Sequence, residues 1–168
     1  YRIHDELQVR ESEIAFQELL VRYDIFRTVF VNNAGKPPLQ IVLKSVTANF
    51  AFYDFSNDTD REQLLCEFKK QDRRHTFDLS KEVSMRVSLI KMGAGEFEFI
   101  WSFHHILMDG WCIGIVVAEY YEIYKSICSQ QPLKLPAVRP YGVYIRWIEK
   151  QDNELTRKFW KTYLDGVD

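Results

Sequence analysis

Two adjacent histidines, His104 and His105, are followed at short distance by Asp109 and Gly110. A free imidazole has a pKa of about 6.5, which suits a general base at neutral pH. The Asp109 carboxylate can orient an imidazole ring or pair with a cation elsewhere in the fold, and Gly110 lets the backbone turn tightly. The same spacing also fits a structural role, in which the histidines hydrogen-bond the backbone and Asp109 caps a helix. These residue types therefore predict either a catalytic base or a capped strand end.

The segment before the histidines predicts a strand, and the segment after them predicts a helix. Adjacent strand residues point to opposite faces, so at most one imidazole faces a given cavity, and parity assigns His105 to the aromatic face. After Gly110 the hydrophobic period changes from two to about 3.6, which indicates a long helix. Residues 104–110 are thus predicted to form the intervening loop, where catalytic residues are often found. The aromatic strand residues are Phe97, Phe99, Trp101 and Phe103; the apolar helix face contains Ile113, Val116, Val117, Tyr120, Tyr121, Tyr124 and Ile127.

The histidines and cysteines lack the spacing of a metal site. Neighbouring histidines seldom bind one ion together, and neither HExxH spacing nor a cysteine partner is present. The three cysteines, Cys66, Cys112 and Cys128, are scattered and odd in number, which is typical of reduced thiols in a cytosolic protein. We therefore expect no metal ion and no disulfide, and we interpret Cys112 as a packing residue.

A second group of charged residues, Arg22, Asp24 and Arg27, lies where a predicted helix gives way to a predicted strand. Such charges are either solvated at the surface or paired inside the fold. An arginine buried at this junction requires a carboxylate partner, and Asp109 would satisfy it through a bidentate pair.

The periodicity along the rest of the chain predicts helices that alternate with two hairpins. Because tight hairpins require antiparallel pairing, we predict an α+β fold, a two-layer α/β sandwich with helices packed on a mixed, largely antiparallel sheet. A proline-rich extended segment, 130–140, separates this body from short aromatic-rich helices that could pack back onto it. The predicted elements are a helix over about Glu11–Arg22 with Ser12 as N-cap, a hairpin of Thr28–Val31 and Leu39–Leu43 with its turn at 32–38, a strand Phe50–Tyr53, a helix Asp60–Lys70, a hairpin of 85–90 and 97–103, and helices Tyr141–Lys150 and Asn153–Leu164.

Composition limits the class of protein. The chain has 168 residues, 46% of them hydrophobic, which is enough apolar surface for one globular unit. Its formal net charge of -2 argues against a nucleic-acid surface. No apolar run approaches the roughly 20 residues of a membrane-spanning helix, and no signal-peptide layout is present. We expect a soluble, cytoplasmic protein that binds neither nucleic acid nor membrane, and the start at Tyr1 indicates an excised piece.

Four ordered motifs resemble those of the condensation domains of nonribosomal peptide synthetases. Residues 104–111, HHILMDGW, match the family signature HHxxxDGW. Residues 22–30, RYDIFRTVF, match RHExLRTxF with Tyr23 and Asp24 in place of the usual His and Glu. Residues 77–79 match the family's FDL, and residues 141–147, YGVYIRW, loosely echo its YxDFAxW.

The resemblance implies a chloramphenicol-acetyltransferase-like lobe, one of two similar lobes that form a channel. On this basis residues 1–168 are a single partial domain, the N-terminal lobe, which lacks its first elements and the C-terminal lobe. The implied reaction is attack by an acceptor aminoacyl amine on a donor acyl or peptidyl thioester. Both substrates are carried on the phosphopantetheine arms of peptidyl or acyl carrier proteins, an adenylation domain is a neighbour, and no cofactor is bound by the domain itself.

The same resemblance implies roles for individual residues. His105 is the catalytic histidine, either as general base or as a group that positions the amine and stabilises the intermediate. His104 is mainly structural, and Asp109 holds the loop through a salt bridge with Arg27. Gly110 stands where the backbone approaches the pantetheine or the intermediate.

Other functions remain open on the sequence alone. An epimerisation domain usually lacks tryptophan directly after Asp-Gly, so Trp111 favours condensation, and a heterocyclisation domain replaces both histidines with aspartates. A stand-alone HxxxDG acyltransferase would lack the arginine motif. A non-catalytic lobe that binds carrier proteins is the alternative from another class, and we expect the isolated fragment to be inactive or nearly so.

Overall fold

Six strands and five α-helices alternate along the chain in the computed structural model, which describes residues 1–32, 35 and 37–167. The chain folds into two compact units, Tyr1–Val138 and Arg139–Asp168. The first unit contains β1 (Arg2–Ile3), α1 (Val9–Arg22), a short 3-10 helix (Asp24–Arg27), β2 (Thr28–Val31), β3 (Leu39–Val42), β4 (Phe50–Asp54), α2 (Arg61–Arg74), β5 (Met85–Gly93), β6 (Glu96–Phe103) and α3 (Gly110–Ser129). The second contains α4 (Tyr141–Ile148) and α5 (Asn153–Tyr163).

The main sheet has the strand order β1-β6-β5-β4. β6 is antiparallel to both of its neighbours, whereas β4 is parallel to β5. The β5–β6 hairpin runs from the pair Met85 and Phe103 to the pair Gly93 and Glu96. Its turn requires a left-handed residue, Gly95 at φ 62°, which glycine adopts without steric cost. The predicted hairpin and the mixed, largely antiparallel sheet are confirmed.

Helices cover both faces of this sheet. The odd-numbered residues of the hairpin, such as Leu89 and Phe99, join the larger core with α1 and α3. On the opposite face Ile90 and Met92 pack with Leu65 of α2 in a second, smaller cluster. The predicted α+β fold with helices packed on a mixed sheet is confirmed, and β5 and β6 carry apolar residues on both faces, so that α1 and α3 pack on one face and α2 on the other.

β2 and β3 form a separate two-stranded antiparallel sheet, as predicted, in register from Thr28 with Val42 to Val31 with Leu39. The turn predicted at 32–38 lies partly outside the described residues, at Asn33, Ala34 and Lys36.

The first helix begins earlier than predicted. α1 starts at Val9, with Gln8 at its N-cap, so Ser12 is not the cap. Ser12 is buried instead, and its hydroxyl is hydrogen-bonded to the Tyr120 hydroxyl on α3. A serine near a helix start favours capping when solvated, but here the tertiary contact with α3 uses the same hydroxyl.

In the second unit Asp152 caps α5, because its carboxylate accepts from the amides of Glu154 and Leu155 at 3.0 Å each. The side chains of Trp147, Phe159, Trp160 and Tyr163 are each more than half exposed. Within the described part of the chain, no helix is long and apolar enough to cross a membrane.

Candidate functional site

In the loop between β6 and α3, hydrogen bonds with the backbone hold the first of the two histidines in place. The amide of His104 donates to the Ser84 carbonyl at 2.9 Å, which extends the β5–β6 ladder by one step. Its Nδ1 accepts from the Ile106 amide at 3.1 Å, and its carbonyl accepts from the Leu107 amide at 3.1 Å. Leu107 and Met108 are buried in the larger core, so the loop is attached at both ends. His104 therefore occupies the structural position that the strand-end interpretation predicts.

His105, in contrast, lies exposed in the turn of this loop. Among the described residues its imidazole has no hydrogen-bond partner, so both ring nitrogens are available to exchange a proton. The strand has ended at Phe103, and the parity argument that assigned His105 to the aromatic face therefore no longer applies.

Asp109 is the N-cap of α3. Its Oδ1 accepts from the amides of Trp111 at 3.0 Å and Cys112 at 3.3 Å. Hydrogen bonds from the Cys112 side chain and amide and from the Trp111 amide, together with the charge of the nearby His105 imidazole, hold the pKa of Asp109 below its usual value. The carboxylate is thus anionic at neutral pH and fixes the turn that carries His105.

The predicted ion pair between Arg27 and Asp109 is wrong. Arg27 pairs with Asp24, three residues earlier in the 3-10 helix, and donates from Nη1 to the Leu43 carbonyl at 2.5 Å. The short helix brings this carboxylate to Arg27 locally, whereas the Asp109 oxygen is already used by the start of α3. Arg27 and Asp109 thus have different hydrogen-bond partners.

A partly buried carboxylate that sequence reasoning missed connects the arginine motif to α3. Glu119 accepts from Arg22 Nε and from the Tyr23 hydroxyl, each at 2.7 Å. Burial raises the pKa of Glu119, but the hydrogen bonds from Arg22 and Tyr23 outweigh it, so the pKa is lowered. Glu119 lies three residues after Val116 and four before Ile123, so an acidic residue on the apolar face of α3 was the available signal.

The surface beside His105 is apolar and open. Gly110 has no atom within 4 Å of the position that a Cβ would occupy. Trp111 is 91% exposed and Ile115, one turn later, is 60% exposed. Among the described residues the site therefore combines an imidazole without a hydrogen-bond partner, a helix N-terminus and an exposed apolar surface. No three His, Cys, Asp or Glu side chains of residues 1–32, 35 and 37–167 are grouped so that they could hold a metal ion.

Comparison with known proteins shows which family the chain resembles. The family model described as "Condensation domain" matches residues 1–168. The chain is 38% identical over 169 residues to surfactin synthase subunit 3 of Bacillus subtilis. This alignment covers 99% of the present chain and 13% of the synthase subunit. It is 43% identical over 152 residues to gramicidin S synthase 2 of Brevibacillus brevis, in an alignment that covers 89% of the present chain and 3% of the synthase.

Solved structures share the fold at low sequence identity. A double mutant of the starter condensation domain of rhizomide synthetase superposes with a TM-score of 0.88 at 12% identity, over 99% of this chain and 41% of that one. The first condensation domain of the calcium-dependent antibiotic synthetase, in complex with a substrate analogue, gives 0.81 at 15% identity, over 99% and 41%. The chain thus spans less than half of these domains and a small part of the synthetases.

Proposed function

The chain belongs to the condensation domain family, and from this premise we propose that it is the N-terminal lobe of a domain that forms peptide bonds in nonribosomal peptide synthesis. One observation carries the proposal. The loop with the HHxxxDG pattern holds His104 by backbone hydrogen bonds and leaves His105 exposed, beside open space at Gly110.

In the proposed reaction the acceptor amine attacks the carbonyl carbon of the donor thioester. A C–N bond forms, the C–S bond breaks, and the sulfur leaves as a thiol once it has received a proton. His105 is the residue that takes the proton from the attacking amine and returns it to the leaving sulfur, or that holds the amine by a hydrogen bond as it attacks. Asp109 fixes the loop as a helix cap, and Gly110 leaves room for the substrate chain.

The substrates are proposed to arrive on the phosphopantetheine arms of a donor and an acceptor carrier protein, as peptidyl or acyl and aminoacyl thioesters. The domain would need no cofactor of its own for this step. A C-terminal lobe would complete the channel, and an adenylation domain would load the acceptor carrier. Support comes from the synthetase relatives, which extend far beyond the matched residues.

The test compares amide formation by the full-length protein and by its His105→Ala variant, with donor-loaded and acceptor-loaded carrier proteins. We expect a loss of about 100-fold or more in rate, the size of a general-base contribution, with an unchanged circular dichroism spectrum. His4→Ala is the matched control, because His4 is an exposed histidine outside the loop. Mass spectrometry of the carrier-bound product gives the rate.

Three results would contradict the proposal in different ways. Equal rates for wild type and His105→Ala would make His105 structural. An ester or amide formed only on a small free acceptor would indicate the stand-alone acyltransferase. Carrier binding without any product would indicate a non-catalytic lobe.

A further inference from the structure

A polar cluster of partly buried side chains lies on the face of the main sheet that α2 covers, and the proposed reaction does not use it directly. Asp72, near the C-terminus of α2, accepts from Arg86 Nε at 2.6 Å. Its second carboxylate oxygen accepts from the Ser102 hydroxyl. Arg86 also donates from Nη2 to the carbonyls of Asp72 and His75, at 2.5 Å and 3.1 Å. The cluster thus joins one helix to two neighbouring strands.

The ion pair of this cluster is largely shielded from solvent. The side chains of Asp72 and Arg86 are each only 9% exposed. Burial raises the pKa of Asp72, but the hydrogen bonds from Arg86 and Ser102 outweigh burial and keep the pKa below its usual value. Phe77, the first residue of the FDL motif, covers the guanidinium with its ring centroid 4.5 Å from Cζ. A charge pair desolvated in this way tolerates little displacement of its members, because each would be left uncompensated.

The cluster is adjacent to the histidine loop. Arg86 and Ser102 are paired residues in the β5–β6 register. The next pair toward the loop is Met85 with Phe103, and the step after it is the hydrogen bond from the His104 amide to the Ser84 carbonyl. His105 follows directly. The end of the hairpin that carries the catalytic candidate is therefore fixed to α2 two ladder steps away.

We infer that Asp72, Arg86 and Ser102 are positioning residues for His105, acting through the end of the β5–β6 hairpin. The inference rests on the proposed function, since it assigns the cluster a role in the same reaction. General-base transfer requires heavy atoms about 2.6–3.2 Å apart, and a misplacement of about 1 Å can reduce a rate by about 100-fold. The FDL segment then has a physical role, because its phenylalanine covers the arginine of this cluster.

The experiment uses Ser102→Ala in the full-length protein, which removes one hydroxyl and leaves the ion pair. Its matched control is Ser88→Ala, a buried serine in β5 on the same face of the sheet as Ser102, whose hydroxyl makes no hydrogen bond to Asp72 within the described part of the chain. We expect kcat for amide formation to fall about tenfold in Ser102→Ala, with KM for the acceptor carrier within about twofold and a melting temperature equal to the control's. Ser102→Thr, which keeps the hydroxyl, should restore kcat.

Hydrogen exchange tests the same inference independently of activity. The loop amides of His104, Ile106 and Leu107 are hydrogen-bonded, and we expect them to exchange about tenfold faster in Ser102→Ala than in Ser88→Ala. Equal exchange and equal kcat in the two variants would overturn the inference while leaving the proposed function intact. Faster exchange in a protein that makes no amide would overturn the proposed function while supporting the mechanical link.

A second variant keeps the inference testable if Ser102→Ala does not fold. Phe77→Leu removes the aromatic cover of Arg86 and keeps an apolar side chain there. We expect the same direction of change, with lower kcat and faster exchange at the histidine loop. A Phe77→Leu variant with wild-type exchange and wild-type kcat would contradict the positioning role.

Discussion

The two adjacent histidines differ because hydrogen bonds to the backbone involve one of them and not the other. His104 Nδ1 accepts from the Ile106 amide, so the neutral ring carries its proton on Nε2. The Nδ1 lone pair of His104 is therefore already used by a hydrogen bond within the loop. His105 has no such constraint among the described residues. Identical residue types one position apart thus acquire different chemistry from the turn that contains them.

Replacement of Asp109 by asparagine, its neutral isostere, distinguishes a helix cap from an ion pair. A helix cap needs only a side-chain oxygen, so Asp109→Asn should keep most of the stability, whereas Asp109→Ala should lose about 1 kcal/mol of unfolding free energy. Urea unfolding of both variants measures this difference. If Asp109 formed an ion pair with Arg27 instead, the Asn variant would lose as much as the Ala variant.

At the scale of elements, polar contacts fix α3 against α1 beneath the histidine loop. Glu119 binds Arg22 and Tyr23 at the end of α1, and the neighbouring Tyr120 hydroxyl binds Ser12. Burial raises the pKa of Tyr120 strongly, so its phenol stays protonated and can donate in this contact. Tyr23 of the arginine motif therefore supplies a hydrogen-bond donor to α3.

Removing single groups should measure this connection between helices. Tyr23→Phe deletes one donor to the charged Glu119 carboxylate, and we expect it to cost about 1.5–3 kcal/mol of unfolding free energy. Glu119→Gln removes the charge, and the double variant should lose less than the sum of the two because they share one contact. Tyr121→Phe, on the exposed side of α3, is the control. A Tyr23→Phe loss no greater than that of the control would show that the contact does not stabilise the protein.

Strands and helices could be predicted from the sequence where apolar residues recur on one face. The residues and elements that they contact in the fold could not. The period of two across β6 and the period of about 3.6 after Gly110 depend only on which side meets the core, so the hairpin and α3 were found. Arg86 alternates with apolar residues, which predicts a polar face, yet α2 covers that face and buries it. Which residues form an ion pair depends on how distant segments come together in the fold, and the sequence alone does not give this. Arg27, for example, pairs with Asp24, three residues earlier in the chain, and not with the distant Asp109.

At the scale of the whole molecule, buried or hydrogen-bonded carboxylates recur between layers. Glu98, on the α2 face of the sheet, binds Arg2 and Lys69 at 2.8 Å and 3.0 Å. Burial raises its pKa, but these two contacts outweigh burial and lower it. The pKa values of Asp72, Asp109 and Glu119 are lowered in the same direction. Protons that the unfolded chain would bind near pH 4 are therefore excluded from the folded protein.

The sign of the resulting pH dependence follows from linkage. A carboxyl group whose folded pKa lies below its unfolded value stabilises the fold above the unfolded pKa, and this contribution is lost as pH falls through the folded pKa. The usual values are 3.8 for aspartate and 4.5 for glutamate. We therefore expect the urea midpoint to be nearly constant from about pH 7 to pH 6 and to decrease steadily below about pH 5.

Glu119→Gln provides the internal comparison for this titration, because it removes one of the groups that gain protons on unfolding. Its urea midpoint should start lower at neutral pH and decrease less steeply between about pH 5 and pH 3 than that of the wild type. Tryptophan fluorescence during urea unfolding measures both curves. Parallel curves would mean that Glu119 has the same pKa in the folded and unfolded states, and the hydrogen bonds from Arg22 and Tyr23 would then not favour its charged form.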